Sequence, residues 1–391
     1  MDAPNEQQGA LLMRHRLGPV ATAFGLHAAV VLLGGWLGMD IVAHGPFWWY
    51  PSSGGWWVVQ AASRWDSHWY ESIAQAGYRL GAGVAFFPLY PMVVAAVGWV
   101  SRLSVIASGA LASALCFCGA LWLLHASCEA KYGRAVADRT AMLVGVLPMG
   151  AFFSAVYPSS LYLLTIAGTL WAISRQHYWA AFCAGLLGAL DRTSGVLLAT
   201  AALPGMWDAW SAQRLRGIAR VLPALAGAPV GLAAYLVYLW VRFGSPFLVT
   251  RWERKFWGIH ATFPGWAQVA AIVRWARGLP IVFPVLPGNS WYAFLVGDIS
   301  TIAVAVGCAV MLLRREWLGA ALFCALSLVL ATSEAGFHGV AAPGRYMIVL
   351  FPAWAAIVAR LRDDHWSLVF AISAALCVCS AVLFAGGYWL T

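Results

Sequence analysis

Asp66 is the side chain in this sequence that is best placed for acid–base chemistry. On a helix it shares a face with Tyr70, one turn later. The neighbouring face carries an apolar stripe with the i, i+4, i+8 spacing typical of a membrane-interface helix. The stripe consists of Trp65, Trp69 and Ile73. This pattern holds a carboxylate at the boundary between lipid and water, where it can accept a proton.

A structural role for Asp66 is the alternative interpretation. Its carboxylate could cap the helix or pair with the nearby Arg64. The spacing of the residues alone leaves both interpretations open.

Two further polar interruptions occur in apolar sequence. Tyr157-Pro-Ser-Ser160 forms a corner between two short apolar runs, which is either an ordinary turn or part of a site. Asp191 and Arg192 interrupt the segment 179–207, and an unpaired charge in the middle of a membrane helix is costly. The sequence therefore predicts two short helices that meet at a polar pocket. The charged pair itself can serve either structure or function.

Basic residues beside aromatic ones suggest a site for an anion. Arg345 lies between a glycine and a tyrosine at the start of a late apolar run. Arg251, Arg254 and Lys255 form a cluster among aromatic neighbours, which suits a phosphate or an anionic lipid headgroup. The alternatives are a membrane anchor for Arg345 and a solvated loop face for the cluster.

Sequence motifs for metal or nucleotide chemistry are absent. There is no HExxH, no Walker A loop and no GxGxxG after a strand. The eight cysteines lie in or beside apolar runs without a CxxC pair. The sequence leaves a divalent cation open as a cofactor and offers no complete ligand set for it.

The composition shows that the helices carrying the candidate site residues lie in a membrane. Of 391 residues, 62% are hydrophobic and 10% are charged, and the mean hydropathy is +0.75. A soluble domain is about 25% charged, and no soluble core could bury this much apolar surface. The net charge of +9 does not indicate nucleic acid, because the basic residues lie between apolar runs, where membrane topology explains them. The sequence predicts an all-α polytopic membrane protein.

Apolar runs and basic loops predict about eleven spans with the N-terminus inside. Residues 86–100 are treated as a helix on the membrane surface, because counting them as a span would move basic loops away from the cytoplasmic side. Two long outside loops follow, 40–104 with interfacial helices and 242–297, in a single domain of residues 1–391. The predicted spans are 17–39, 105–127, 140–156, 159–174, 179–190, 194–207, 221–241, 295–313, 317–332, 346–359 and 367–389.

Four motifs, in their order along the chain, resemble the PIG-V-like mannosyltransferases, the family of the enzyme that adds the second mannose in GPI-anchor synthesis. The resemblance covers most of residues 15–360. It implies a GT-C class glycosyltransferase that takes its sugar from a polyprenyl-phosphate donor on the non-cytoplasmic face. The matching stretches are Trp65-Asp-Ser-His-Trp-Tyr70 with Gly77-Tyr78, Phe86-Phe-Pro-Leu-Tyr-Pro91, Phe152-Phe-Ser-Ala-Val-Tyr157, and Gly344-Arg-Tyr346 with Phe351-Pro352.

The resemblance implies that Asp66, in the first outside loop, is the catalytic residue of an inverting transfer. It would act as the general base for the acceptor hydroxyl, and arginines would bind the departing phosphate. The family usually has Ser-Glu after the tyrosine of the second outside loop, whereas this chain has Pro158-Ser159 and lacks that acid. The residues expected to bind substrate are Arg64, His68, Tyr70, Tyr157, Arg192, Arg251 and Arg345.

The expected partners are a polyprenyl-phosphate sugar, membrane lipids and an acceptor that is a lipid, a glycan or a protein. The composition suggests a bacterial protein of the plasma membrane, for which GPI is not the expected product. The competing functions are a transporter or flippase for a lipid-linked sugar and a non-catalytic assembly protein. A transporter would carry ionisable groups deep in several spans, whereas here the unusual residues gather on one side, which favours an enzyme.

Overall fold

In a computed structural model, the described residues fold almost entirely into helices. The structure describes residues 6–41, 57–277, 290–336, 339–340, 343–388 and 390. Parts of both predicted long loops, residues 42–56 and 278–289, lie outside the described residues. We number the helices and strands in chain order.

The first half of the chain runs from α1 to α8. Its helices are α1 (Glu6–Trp36, continued by a π-helical turn Leu37–Ile41), α2 (Trp57–Ala62), α3 (Ser67–Ala76), α4 (Leu89–Ser101), α5 (Val105–Tyr132), α6 (Arg134–Gly145), α7 (Ser159–Ser174) and α8 (Tyr178–Asp191). Three 3₁₀ segments, Ala82–Ala85, Gly150–Phe153 and Thr193–Ala202, join or follow these helices.

Among the described residues, the longest helix and three short strands lie in the second half. Its elements are α9 (Leu203–Phe243, kinked at Arg214), α10 (Leu248–Trp252, continued by a π-helical turn Glu253–Trp257), β1 (His260–Ala261), α11 (Trp266–Ala276), α12 (Ser290–Leu313), α13 (Leu318–Thr332), β2 (Glu334–Gly336), β3 (Gly339–Val340), α14 (Pro343–Met347), α15 (Phe351–Val358) and α16 (Asp363–Ala385).

Several helices are long and apolar enough to cross a membrane, which confirms a multi-pass membrane protein. Four shorter apolar helices, α4, α7, α8 and α13, accompany them. The count of about eleven spans stays a prediction. Within the described residues, five helical segments are long enough: Arg16–Ile41, Val105–Tyr132, Arg214–Phe243, Leu295–Leu313 and Asp363–Ala385.

The segment 194–207, predicted as one span, is instead a 3₁₀ helix, Thr193–Ala202, followed by the start of α9. Gly195 approaches the carbonyl group of Gly188 so closely that a Cβ atom at this position would overlap it. The absent side chain lets the 3₁₀ segment pack directly against the end of α8. Pro204, in the first turn of α9, is suited to the beginning of the long helix.

Two other predicted spans are interrupted. In the span 140–156, α6 ends at Gly145, shortly before Pro148, because a proline ring disfavours helical conformation in the residue before it. In the span 346–359, α14 ends at Met347 and α15 begins only at Phe351. Both interruptions lie beside motif residues, so they create irregular chain at the place where a site is expected.

The largest apolar cluster of the described core includes most of the motif aromatics. Tyr90, Phe152 and Tyr157 are among its largest fully or almost fully buried side chains. Other apolar side chains point outward, for example Val241 at 80% and Leu313 at 86% exposure. Such exposure of apolar residues on helices long enough to span a bilayer is expected where lipid is the solvent.

Short elements cover the end of the bundle that carries Asp66, which we call the site end. The strands form an antiparallel sheet in the order β1-β2-β3, with His260 opposite Ala335. The π-helical turn after α10 contacts α3, where the ring of Phe256 meets that of Trp69 edge-on at 5.9 Å between centroids. The second predicted outside loop therefore packs on the first.

Candidate active site

Asp66 lies at the N-cap position of α3, directly after a turn in which Trp65 adopts the left-handed conformation (φ 55°). Its side chain makes no capping hydrogen bond. Arg64 points elsewhere: it is 3% exposed, and its guanidinium donates to the carbonyl oxygens of Ala385 at 3.1 Å and Gln60 at 3.0 Å. Neither structural alternative for Asp66 is therefore adopted, and its carboxylate is available to another partner.

That partner is Arg345, 279 positions later in the chain. Arg345 Nη1 donates to Asp66 Oδ2 at 3.1 Å, and the two side chains are 15% and 18% exposed. Arg345 Nη2 donates to the hydroxyl of Tyr346 at 3.2 Å. The guanidinium carbon lies 5.6 Å from the ring centroid of Tyr157 and 5.9 Å from that of Phe152. Three of the four motifs therefore meet at one ion pair.

Arg192 reaches the same place from the end of α8. Its backbone is extended (φ −164°, ψ 161°), so the helix stops at the charged pair as the sequence predicts. Its guanidinium carbon lies 4.6 Å from the ring centroid of Tyr162 and 5.4 Å from that of Tyr346. Arg345 lies 5.2 Å from the same Tyr346 ring. Tyr346 therefore links the two arginines.

Both arginines retain buried donors without a hydrogen-bond partner. These are Nη1 of Arg192 and Nε of Arg345. A buried donor without a partner is unfavourable, and an anion placed between the two side chains would satisfy it. The arrangement is therefore suited to binding a phosphate group.

Asp191 is completely buried, and neither carboxylate oxygen has a hydrogen-bond partner. The Nε atom of Arg192 lies 3.9 Å from its Oδ2. This distance allows Coulomb attraction and is too long for a hydrogen bond.

Tyr70 lies inside the site and His68 at its edge. Tyr70 is 8% exposed, and its ring meets the rings of Phe86 and Tyr90 edge-on. Burial raises the pKa of Tyr70, so the hydroxyl stays protonated. His68 Nδ1 lies 2.7 Å from the carbonyl oxygen of Trp65, which places its ring on the turn before α3. The charged groups that also influence the Tyr70 hydroxyl are those of Arg345, Asp66, Arg192 and Asp191.

Tyr157 and Arg251, the other expected substrate ligands, lie in different surroundings. The Tyr157 hydroxyl accepts from the backbone N–H of Asp66 at 3.0 Å and donates to the carbonyl oxygen of Arg64 at 3.2 Å. Arg251 is exposed on α10. Among the described residues, no ion pair of Arg251 is found, and the structure does not bring it to Asp66.

The described part of the chain contains no group of three or more His, Cys, Asp or Glu residues that could hold a metal ion.

Sequence reasoning missed two features of the site. Tyr346 was not recognised as the link between the arginines, although its position next to Arg345 was the available signal. The left-handed conformation of Trp65 had no signal, since bulky residues rarely adopt it.

Comparison with known proteins bears on the family resemblance and on the fold. A family model described as Mannosyltransferase (PIG-V) matches residues 56–200, which include Asp66, Tyr157 and Arg192. No curated protein matches the chain.

Two solved structures align with most of this chain at low sequence identity. ArnT from Cupriavidus metallidurans bound to undecaprenyl phosphate aligns with a TM-score of 0.51 and 14% identity, over 88% of this chain and 61% of that one. The oligosaccharyltransferase AglB from Archaeoglobus fulgidus, in complex with an inhibitory peptide and a dolichol-phosphate, aligns with a TM-score of 0.48 and 12% identity. That alignment covers 95% of this chain and 56% of AglB.

The chain thus spans little more than half the length of these two proteins. The shared fold confirms the predicted GT-C-like architecture, and the family match supports the prediction of a glycosyltransferase enzyme. The predicted resemblance is confirmed: over residues 56–200 the chain matches the family model described as Mannosyltransferase (PIG-V), and it shares its fold with ArnT.

Proposed function

We propose that this protein transfers a sugar, mannose, from a polyprenyl-phosphate donor to an acceptor hydroxyl, with inversion at the anomeric carbon. The observation that carries the proposal is the contact between Asp66 and Arg345. It places a proton acceptor and a phosphate ligand next to each other, at the meeting point of the family motifs. The match to the mannosyltransferase family supports the choice of sugar.

In the proposed reaction, the acceptor oxygen attacks the anomeric carbon of the donor sugar while Asp66 takes the hydroxyl proton. The new bond joins the acceptor oxygen to the sugar. The bond between the sugar and the phosphate oxygen breaks, and its electron pair leaves with the polyprenyl phosphate. General-base catalysis of this kind contributes about 10²–10⁴-fold.

Arg345 and Arg192 stabilise the leaving phosphate in this proposal. A phosphodiester carries one negative charge and the released phosphate monoester carries up to two. The arginines therefore bind the phosphate more strongly as its negative charge grows during the transfer. This lowers the barrier to the reaction. Their buried, unpartnered N–H groups, Nε of Arg345 and Nη1 of Arg192, provide the hydrogen bonds.

The ion pair must open before Asp66 can act. While Arg345 donates to Asp66, its guanidinium occupies Oδ2 of the carboxylate. A donor phosphate competes for the same guanidinium. Donor binding therefore frees the base, which favours an order in which the lipid donor binds before the acceptor.

The site end faces the extracytoplasmic side of a bacterial plasma membrane in this proposal. The support is the distribution of basic loops in the sequence. A cysteine introduced at Gly83, beside Trp69 of α3, should react with a membrane-impermeant thiol reagent in intact cells. One introduced at Ala212, next to the kink of α9, should react only after permeabilisation. Labelling of Ala212→Cys in intact cells would reverse the orientation.

A transfer assay tests the reaction itself. Purified protein in liposomes receives polyprenyl-phosphate mannose with a radiolabelled sugar, together with a lipid and glycan extract of the producing cells as acceptors. We expect label to move from the donor into extract components. A nucleotide sugar replaces the donor in a parallel reaction. Transfer from the nucleotide sugar alone would contradict the proposed donor class.

A further inference from the structure

We infer that Tyr157 is a positioning residue for Asp66: its hydroxyl clamps the two peptide groups that flank Trp65 and so fixes the direction of the Asp66 carboxylate. The inference rests on the proposed function, in which Asp66 is the base. It replaces the sequence-based expectation that Tyr157 binds substrate.

The hydroxyl of Tyr157 bridges both sides of a single residue. It accepts a hydrogen bond from the N–H of Asp66 at 3.0 Å and donates one to the carbonyl oxygen of Arg64 at 3.2 Å. Trp65 lies between these two peptide groups. A tyrosine hydroxyl has one proton to donate, and the Arg64 carbonyl uses it. A substrate could receive that proton only if the clamp opened.

The clamped turn is strained. Trp65 has a φ of 55°, the left-handed conformation that a bulky side chain rarely adopts. Such a conformation persists where surrounding contacts enforce it, and it is common at functional sites. Two further hydrogen bonds help to enforce it here: the Trp65 indole donates to the carbonyl of Tyr388, and His68 Nδ1 contacts the carbonyl of Trp65.

Tyr157 is itself held firmly enough to act as a support. It is 2% exposed, and its ring packs against Phe152 with 4.9 Å between centroids. The preceding residues are tied on both sides: Ser113 donates to the carbonyl of Ala155 at 2.7 Å, and the N–H of Val156 donates to the carbonyl of Ala62 at 2.9 Å. The clamp therefore joins the motif around Asp66 to a rigid part of the core.

The ring of Tyr157 acts on the other partner of the ion pair. The guanidinium carbon of Arg345 lies 5.6 Å from its centroid. One side chain thus orients Asp66 through its hydroxyl and Arg345 through its ring. Replacing tyrosine by phenylalanine separates these contributions, because it removes the hydroxyl and keeps the ring.

Tyr157→Phe should lower kcat on the order of tenfold to a hundredfold, since misplacing a reacting group by about 1 Å can cost about 100-fold. The KM for polyprenyl-phosphate mannose should stay close to that of the unmodified protein. The matched control is Tyr235→Phe. Tyr235 is also 2% exposed and donates to the carbonyl of Val84 at 2.8 Å, and it lies in a separate apolar cluster.

A measurement without substrate reports on the clamp directly. The N–H of Asp66 should exchange with deuterium faster in Tyr157→Phe, because its acceptor is gone. It should exchange at an unchanged rate in Tyr235→Phe. Purified full-length protein in detergent, with peptide-level mass spectrometry over residues 63–68, provides this readout.

Three outcomes would overturn the inference. They are unchanged exchange at Asp66, an equal loss of kcat in Tyr235→Phe, and a raised KM with unchanged kcat in Tyr157→Phe, which would show substrate binding instead. Asp66→Asn in the same transfer assay separates this inference from the proposed function. Near-normal turnover there would contradict the base assignment, while deuterium exchange at Asp66 would still decide whether the clamp exists.

Discussion

Two aspartate–arginine pairs meet at the site end of this protein, and they are built in opposite ways. Asp66 and Arg345 come from distant parts of the chain, touch at 3.1 Å and are both partly exposed. Asp191 and Arg192 are neighbours in sequence and lie 3.9 Å apart, and the side chain of Asp191 has no exposed surface. Tyr346 contacts both arginines.

This difference in exposure separates the two pairs in function. A substrate can compete for Asp66 or Arg345, because solvent reaches both side chains. Asp191 cannot exchange its partner in the same way. Asp191 lies 3.9 Å from Arg192 without a hydrogen bond, so it adds only a modest attraction to the ring contacts with Tyr162 and Tyr346 that hold Arg192 in place. In the proposed function the first pair is therefore the reactive one, and the second holds Arg192 as a ligand for the phosphate.

The largest effect expected from this comparison is that of Asp66→Asn. The amide keeps the shape of the side chain and cannot take the acceptor proton. Transfer from polyprenyl-phosphate mannose should fall about 10²–10⁴-fold, which corresponds to roughly 3–5 kcal/mol in the barrier. The thermal unfolding temperature in detergent should change little, because the carboxylate caps no helix and is partly solvated.

Glu71→Gln is the matched control for that prediction. Glu71 lies on the same helix and accepts a hydrogen bond from Ser63, and burial raises the pKa of its carboxyl group. The Gln side chain retains an oxygen that can accept the Ser63 hydrogen bond, so activity should stay near that of the unmodified protein. A well-folded Asp66→Asn protein with activity similar to Glu71→Gln would remove Asp66 as the base.

Arg345→Lys should have the next largest effect. Lysine keeps the charge and loses the planar fork that donates to Asp66 and Tyr346 at the same time. A hydrogen bond to a charged group is worth about 1.5–3 kcal/mol, so transfer should fall by roughly tenfold to a hundredfold. Steady-state rates at several donor concentrations measure this.

The same substitution at Arg251 tests whether the loss of transfer depends on the position of the arginine or only on its replacement by lysine. Arg251 is exposed on α10, and no ion pair is found for it among the described residues. Arg251→Lys should leave transfer nearly unchanged. A loss equal to that of Arg345→Lys would mean that α10 closes over the site during the reaction, and the comparison of the two pairs would then be incomplete.

Sequence reasoning predicted the membrane architecture and the helix that begins at Asp66, because both depend on local patterns. Apolar composition requires lipid, and the spacing around Asp66 marks an interfacial helix. The break at Asp191 was predictable for the same reason, since a charge inside an apolar run is costly. The irregular segment Thr193–Ala202 was not, because its close approach to α8 depends on tertiary packing at Gly195.

The pairing of Asp66 with Arg345 had no signal in the spacing of residues. The two are 279 positions apart, and only the fold brings α14 to the start of α3. From the sequence, Arg64 was the obvious partner for Asp66, but its guanidinium binds backbone carbonyls instead. Local spacing predicts which face a residue occupies, whereas long-range partners follow from the packing of helices.

Asp191→Asn should have the smallest effect of the three substitutions at the two pairs. The carboxylate makes no hydrogen bond, so an amide of the same shape removes only its attraction for Arg192. Arg192 would still contact the rings of Tyr162 and Tyr346. We expect transfer to change within about threefold, equivalent to roughly 0.6 kcal/mol.

The assay that tests Asp66→Asn also tests this variant, with protein amounts matched by size-exclusion chromatography in detergent. A loss as large as that of Asp66→Asn would contradict the division between a reactive pair and a positioning pair. It would show instead that the buried carboxylate takes part in the reaction, in a chain that lacks the acid after the tyrosine of its second loop. A small change would leave Asp66 as the carboxylate on which transfer depends.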